Sequence, residues 1–152
     1  MIEFVKPTID MIKIIADDMR KSDAVEVMAS HGHTPIEALK VSFKCSGYSS
    51  IAVADGVPFS MFGVTMSNIT TGLGYPWLLS SNEVFKHKEY FLKNAPSVLE
   101  DIIFICPRLV NYVHHENKTS IKWLRSLGFT IEDPEPYGVK EELFHKFHMG
   151  VI

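Results

Sequence analysis

The stretch Val113–Phe129, which reads VHHENKTSIKWLRSLGF, decides the fold of this chain. Asn117 is a preferred residue at a helix start, because its side-chain oxygen can accept a hydrogen bond from a free backbone N–H of the first turn. Ile121 and Leu124 mark one apolar face of that helix, and basic residues occupy the opposite face. Gly128 ends the helix. The sequence here predicts a strand, a short amphipathic helix and a second strand.

Strands and helices alternate along the rest of the chain, which predicts a mixed α/β sheet covered by helices. Asp55-Gly56 between two apolar segments predicts a β-hairpin, because a tight turn of the favoured type requires positive φ angles. The predicted strands are Glu3–Lys6, Ile51–Ala54, Val57–Thr65, Tyr75–Leu79, Arg108–His114 and Leu143–Val151. The predicted helices begin at Thr8 or Asp10, Pro35, Asn82, Ser97 and Asn117, with a break at Asn94–Pro96 and polar connections at Ser30–Thr34 and Ser46–Ser50.

The composition is that of an ordinary globular protein without a strong charge bias. Of the 152 residues, 46% are hydrophobic and 22% are charged, and the formal net charge is −3. This balance predicts neither nucleic-acid binding nor broad attraction to an anionic membrane. No apolar segment approaches the roughly 20 residues that span a bilayer, and the N-terminus lacks an apolar signal core. We therefore expect a cytoplasmic protein, not inserted in a membrane, in which Cys45 and Cys106 are buried free thiols.

The Val113–Phe129 pattern resembles the last motif of the GNAT (N-acetyltransferase-like) superfamily, which runs Asn-x-x-Ala-Ile-x-Leu-Tyr-x-Lys-x-Gly-Phe. Asn117, Ile121, Gly128 and Phe129 fall in register with that motif. Further segments resemble its first strand, its central hairpin and its fourth strand, namely Phe4–Asp10, Ile51–Thr65 and Pro76–Ser81. The resemblance implies a single GNAT-like domain over residues 1–152. It also implies a mixed sheet of roughly six to seven strands flanked by about four helices.

Three short segments resemble a narrower, phage-encoded GNAT-like family that includes an internal virion protein of podophages. They are PWLLSS at Pro76–Ser81, NYV at Asn111–Val113 and KWLRSLGF at Lys122–Phe129. This resemblance implies a virion-associated or host-interacting protein with a binding or structural role, whose partners are other virion or host proteins. It places the protein in the phage virion or in the cytoplasm of the infected bacterial host.

The GNAT resemblance also implies where acetyl-CoA would bind. In acyl-CoA-binding relatives the pantetheine arm lies between the fourth and fifth strands, and N–H groups at the start of the next helix hold the pyrophosphate. The implied contacts are Leu78, Leu79, Ser80, Ser81, Asn82 and Asn117. The usual glycine-rich signature is missing, and the Glu83 carboxylate stands close to the expected phosphates. The serine and asparagine residues of this turn either replace the glycines or only cap a helix.

No catalytic residue is assigned by the sequence. Many relatives place a tyrosine, which can protonate the leaving thiolate, at the position that Leu124 occupies here. Tyr112 and His115 lie nearby in sequence, but no motif identifies either as a replacement. Three interpretations therefore stay open: a binding or structural protein with a degenerate acyl-CoA site, an active N-acetyltransferase with an atypical site, and a regulatory domain that binds CoA without turnover.

The histidine pattern predicts no metal site. His145 and His148 lie three positions apart in a predicted strand and would point to opposite faces. His31 and His33 in a loop supply only two ligands, whereas a zinc site needs about four. Trp77 and Trp123 are both expected in the core, and Trp123, which lies off the apolar face of its helix, is the better candidate of the two to contact a ligand or partner.

Overall fold

The described residues, 1–68 and 70–150 of this computed structural model, form one mixed sheet flanked by helices. The predicted α/β architecture is confirmed, with eight strands and five α-helices in the described part of the chain. The strands are β1 (Ile2–Val5), β2 (Tyr48–Ala54), β3 (Val57–Asn68), β4 (Leu73–Ser80), β5 (Arg108–His114), β6 (Thr130–Ile131), β7 (Glu135–Tyr137) and β8 (Glu142–Met149). The helices are α1 (Ile9–Asp17), α2 (Lys21–His31), α3 (Pro35–Cys45), α4 (Lys88–Ile105) and α5 (Lys118–Ser126), and a 3₁₀ helix (Asn82–His87) precedes α4.

The sheet consists of two antiparallel halves that meet at one parallel pair of strands. The strand order is β1-β2-β3-β4-β5-β8-β6, with β7 also paired to β8. Strands β4 and β5 pair at two positions only, Leu73 with Arg108 and Gly74 with Leu109. Beyond that point the two strands diverge, and a gap opens in the middle of the sheet.

Pro76 explains why the β4–β5 pairing ends so early. Val64, its partner on β3, directs its carbonyl towards β2, where it accepts from the Gly47 N–H at 3.2 Å. Pro76 therefore faces the other way, towards β5, by the alternation of an antiparallel pair. Proline has no N–H to donate to a neighbouring strand. Instead the Asn111 side-chain amide of β5 donates to the Pro76 carbonyl at 2.8 Å and bridges the start of the gap.

The described residues form three apolar clusters, and the two larger ones lie on the two faces of the sheet. The first joins α1 and α3 to β2, β3 and β4, and contains Ile12, Ile15, Leu39, Ile51, Met61 and Leu79. The second joins α4 and α5 to β5 and β8, and contains Ile102, Leu109, Val113, Ile121, Leu124 and Phe147. No helix in the described part of the chain is long and apolar enough to cross a bilayer.

Several local predictions are confirmed. Asp55 and Gly56 form the hairpin turn between β2 and β3 with φ angles of 49° and 82°. Thr8 caps α1 by accepting from the Met11 N–H, and Pro35 occupies the first turn of α3. Asn117 caps α5, since its side-chain oxygen accepts from the backbone N–H of Ser120.

Other local predictions are wrong. Helix α2 was not expected; its apolar pattern is weak because the face that it buries carries the polar residue Asp23. Helix α4 continues through Pro96 instead of breaking there, because packing of its apolar face outweighs the one backbone hydrogen bond that the proline removes. The expected connection Ser46–Ser50 already contains the start of β2, and Cys45 is exposed at the end of α3, whereas Cys106 is buried.

The last predicted strand is found, with different bounds. It runs from Glu142 to Met149. The predicted end, Val151, lies outside the described residues.

The C-terminal end of α2 is held by the turn between β7 and β8. The Val139 and Lys140 N–H groups donate to the carbonyls of Ser30 and Ala29 at 3.0 and 3.2 Å. Gly138 allows this approach, because its φ is +82° and a Cβ there would lie 2.6 Å from the Cα of Ser30.

We expect Gly138→Ala to reduce the free energy of unfolding by about 2–4 kcal/mol, from backbone strain and steric overlap together. Gly47→Ala is the matched control, because Gly47 has nothing within 4 Å of an added Cβ. Urea unfolding of both variants measures the difference. Equal stability of the two variants would contradict the proposed contact.

Candidate functional site

The gap between β4 and β5 opens into a cavity of about 1020 Å³. Adjacent residues of β4 with side chains on opposite faces of the sheet, Trp77 and Leu78, both line it. The cavity therefore passes through the sheet. Helix α2 borders it on one face, and α4 and α5 border it on the other. A volume of this order accommodates a ligand of several tens of atoms.

The backbone of Leu78 is directed into the gap. Pro76 and Ser80 both direct backbone groups away from β3, so Leu78, which lies between them, does the same. Within residues 1–68 and 70–150, no group is hydrogen-bonded to the Leu78 N–H or carbonyl on this side. An extended ligand with its own amide groups can therefore pair with β4 here.

The side chain of Asp23 fills the end of the gap next to β4. Its carboxylate accepts two hydrogen bonds from the Arg20 guanidinium, at 2.7 and 3.2 Å, and one from the Ser80 N–H at 3.0 Å. The Arg20 N–H in turn donates to the Ser80 carbonyl at 2.9 Å. Arg20 also reaches α5, where its guanidinium donates to the Ser120 hydroxyl at 3.3 Å. Burial acts to lower the pKa of Arg20, but the hydrogen bond and charge of Asp23 and the charge of Glu26 raise it overall.

Glu26, one turn further along α2, occupies the end of the gap next to β5. Its Oε1 accepts the backbone N–H of His114 at 2.6 Å. The His114 ring is fixed as one tautomer: Nδ1 accepts from the Glu116 N–H, so Nε2 carries the proton and donates to Glu142 at 2.8 Å. Two carboxylates on one helix thus accept the last N–H groups of the two diverging strands.

The pKa of Glu26 is raised from 4.5 to about 7, mainly because burial disfavours the charged carboxylate. The His114 N–H opposes this shift, and the charge of Asp23 adds to it. The Asn117 amide and the Arg20 charge also lower the pKa. The Asn117 Nδ2 acts on Glu26 but is buried without a hydrogen-bond partner among the described residues. Glu26 is therefore a carboxyl group that can exchange a proton near neutral pH.

The turn after β4, where the resemblance places the pyrophosphate, uses its N–H groups within the protein. The Ser81 N–H donates to the Phe59 carbonyl at 2.9 Å and the Asn82 N–H to the Asp18 carbonyl at 3.0 Å. The Glu83 N–H donates to the Ser81 hydroxyl at 3.3 Å. With the Ser80 N–H bound to Asp23, this turn presents no row of free donors to a phosphate. Lys88 and Lys122, both exposed, are cations that line the cavity instead.

The six residues implied as cofactor contacts lie around the gap in different ways. Leu78, Leu79 and Ser80 line it from β4, whereas Ser81 is buried outside it and its N–H is bonded to the Phe59 carbonyl. Asn82 bonds α1 through Asp18 at 2.9 Å. Asn117 begins α5 with a buried, unpartnered Nδ2. Their contacts with a cofactor stay a prediction.

The position of the missing general acid, Leu124, and the two candidate replacements, Tyr112 and His115, lie in different surroundings. Leu124 is buried in the second apolar cluster and also borders the cavity. The Tyr112 ring borders the cavity stacked on Tyr137, with ring centroids 3.8 Å apart. His115 points away to His145, with their ring nitrogens 2.9 Å apart.

The two tryptophans both line the cavity. The Trp123 Nε1 is buried and has no hydrogen-bond partner among the described residues.

The two histidines of β8 bond different atoms of Glu132. His145 bonds the Glu132 carbonyl at 2.7 Å, while His148 bonds the Glu132 side chain at 2.9 Å. Within the described part of the chain, no three His, Cys, Asp or Glu side chains converge on a metal position.

Three residues of this site, Arg20, Asp23 and Glu26, were missed by sequence reasoning. Their helix was not predicted, so their common face was not recognised. The available signal was the spacing of Asp23 and Glu26, since residues three apart share a helix face. A second signal was Pro76 inside a strand, because proline in a sheet marks a side that has no partner strand.

Comparison with known proteins agrees with this architecture. No protein-family model matches the sequence, and no curated protein matches it either. Solved structures are similar to it in fold over nearly the whole chain. The fold is that of the GNAT acetyltransferases. A spermidine N-acetyltransferase from Vibrio cholerae, in complex with CoA and spermine, has a TM-score of 0.69 and 10% identity, and the match covers 97% of this chain and 94% of that one.

Two further structures with the GNAT fold show the same likeness. An acetyltransferase from Bacillus subtilis in complex with CoA has a TM-score of 0.65 and 8% identity, covering 99% of this chain and 98% of that one. A GNAT-family acetyltransferase from Bacillus anthracis has a TM-score of 0.67 and 11% identity, with coverages of 97% and 93%. The GNAT-like fold predicted from the sequence is confirmed, and at these identities the likeness concerns the fold alone.

The raised pKa of Glu26 predicts a pH-dependent cost in stability. Between pH 4.5 and 7 the unfolded chain has released this proton and the folded chain has not, so stability falls as the pH rises. Relative to Glu26→Gln, the free energy of unfolding of the wild type should fall by about 2–3 kcal/mol over this pH range. Above pH 7 the difference between the two proteins should stay constant. Urea unfolding of both proteins from pH 4 to 8 measures the difference.

Glu37→Gln serves as a control of opposite sign. Hydrogen bonds from Thr34 hold the pKa of Glu37 below its usual value. The wild type should therefore gain stability relative to this variant as the pH rises through the acid range. A flat difference curve for Glu26→Gln would contradict the raised pKa.

Proposed function

We propose that this protein binds an acyl-CoA thioester in the gap between β4 and β5 and transfers the acyl group to an amine. The observation that carries the proposal is the divergence of these strands, which leaves the Leu78 backbone groups directed into a cavity of about 1020 Å³. An acyl-CoA supplies an activated acyl group as a thioester. The cited structures with the same fold include two in complex with CoA, which favours this use of the gap.

The pantetheine arm fits the groups that surround the gap. Its amides match the N–H and carbonyl of Leu78. The buried Asn117 Nδ2 and Trp123 Nε1, both without partners among the described residues, are donors of the kind that a bound polar ligand satisfies. Burying an amide or indole N–H without an acceptor costs free energy, so a ligand acceptor at either position would be stabilised.

The pyrophosphate does not fit the turn after β4 in the usual way. The Ser80, Ser81 and Asn82 N–H groups are bound within the protein, and the Glu83 carboxylate at this turn is paired with Lys86 at 3.0 Å. Lys88 and Lys122 would hold the phosphates as side-chain cations in place of backbone donors. Because these lysines are exposed, we expect affinity for CoA to fall as the ionic strength rises.

Calorimetry at low salt tests the proposal directly. We expect acetyl-CoA and CoA to bind with a Kd below about 100 µM, roughly −5.5 kcal/mol. Leu78→Trp should weaken binding at least about tenfold, because the larger side chain fills the cavity. Leu143→Trp is the control, since Leu143 is exposed on β8 and does not line the cavity. Absence of binding at millimolar ligand, with the protein folded, would refute the proposal.

A second candidate function is a binding or structural role without catalysis, in a phage virion or in the infected bacterial cell. It is favoured by the turn after β4, whose donors are used internally, and by Leu124 at the position of the usual acid. Exposed apolar side chains on α4, including Phe104 at 91% exposure, are compatible with a protein partner there.

Quantitative mass spectrometry of purified particles tests this second candidate. We expect the protein at a fixed number of copies per particle, together with no detectable CoA binding in calorimetry. Its absence from particles would remove the virion role. Substoichiometric traces that vary between preparations would count as absence.

A further inference from the structure

Glu26 differs from its neighbours Asp23 and His114, because one of its carboxylate oxygens accepts no hydrogen bond from the described residues. Asp23 is fully engaged by Arg20 and by the Ser80 N–H. Both ring nitrogens of His114 are engaged as well, by Glu116 and Glu142. Among the described residues Glu26 accepts one hydrogen bond, from the His114 N–H at Oε1, and the nearby Asn117 Nδ2 forms none.

Charged and polar groups from α2, β5 and α5 act on Glu26. Arg20 and Asp23 act on it along α2, and they act in opposite directions because their charges are opposite. Strand β5 contributes the His114 N–H, and α5 contributes the Asn117 amide. The Arg20 charge is largely compensated by its bond to Asp23, and no cation of the described residues forms an ion pair with Glu26.

We infer that Glu26 is the general base of acyl transfer, accepting at Oε2 the proton that the acceptor amine loses. The inference rests on the proposed function. The C–N bond forms as the amine attacks the acyl carbon, and the N–H proton passes to Glu26. The C–S bond breaks, and the thiolate leaves with the electron pair and takes a proton from water. Glu26 then returns its proton to the solvent, so one amide and one thiol are formed from one amine and one thioester.

The position of Glu26 suits this role. Its side chain extends from α2 to the end of β5, on the side of the cavity opposite α4. A ligand paired with β4 at Leu78 would lie two residues from Ser80, whose N–H is bonded to Asp23, one turn from Glu26 on α2. When it is ionised, the Glu26 carboxylate also favours the approach of a cationic amine, because the Asp23 charge is already paired with Arg20. A base with a pKa near the working pH is efficient because it is both deprotonated and basic enough to accept the proton.

The test compares wild type, Glu26→Gln, Glu26→Asp and Glu37→Gln with acetyl-CoA and a panel of primary amines, following free thiol release from pH 5 to 9. We expect Glu26→Gln to lower kcat/KM at least about 100-fold, while calorimetric affinity for CoA stays within about twofold. The wild-type profile should fall on the acid side near pH 7, and this dependence should vanish in Glu26→Gln. Glu26→Asp should keep the acid-side pH dependence with a lower rate, and Glu37→Gln should have the wild-type rate and pH profile.

The outcomes separate the base from the function. Amine-dependent thiol release at the wild-type rate and pH profile in Glu26→Gln would overturn the role of Glu26 and leave acyl transfer standing. A large rate loss with unchanged CoA affinity and a lost acid limb would support it. Neither CoA binding nor thiol release by the folded wild type, with any amine of the panel, would overturn both proposals.

Discussion

The missing N–H of Pro76 is the constraint on which the rest of this structure depends. A parallel pair of strands in the middle of a sheet would ordinarily continue for its whole length, since each residue facing the partner both donates and accepts. Here the first residue of β4 beyond Gly74 that faces β5 cannot donate, and a single amide from Asn111 replaces the ladder. The backbone pairing therefore ends at Pro76, and the gap opens beyond it.

Helix α2 compensates for the gap at its wide end. Diverging strands leave their last N–H groups without partner strands, and buried N–H groups without acceptors are costly. Asp23 and Glu26 supply the acceptors for Ser80 and His114. The same solution brings two carboxylates to the wall of the cavity, one paired with Arg20 and one not. The same two side chains thus accept the strands' last N–H groups and place carboxylates at the cavity wall.

The sequence permits the fold to be predicted because its signals are local. The Asp55-Gly56 turn, the Asn117 cap and the alternation of apolar segments each depend on neighbours in the chain. The site is less predictable, because Glu26 acquires its properties from His114 and Asn117, which are distant in sequence. Helix α2 escaped prediction for the same reason: its buried face is partly polar, and only the tertiary contacts make that face favourable. The absent glycine signature was visible in the sequence, but the internal use of the Ser81 and Asn82 donors was not.

The Asn111 bridge has a consequence for how this protein responds to a ligand. Two backbone pairs and one side-chain amide join β4 to β5, so a molecule that lies along β4 completes a sheet that the chain leaves unfinished. Its hydrogen bonds would be made only by the folded state, in which the gap exists. By mass action such a ligand increases the free energy of unfolding of the whole domain as more of the protein binds it. Ligand and protein would then share one hydrogen-bonded sheet, with the ligand as its central strand.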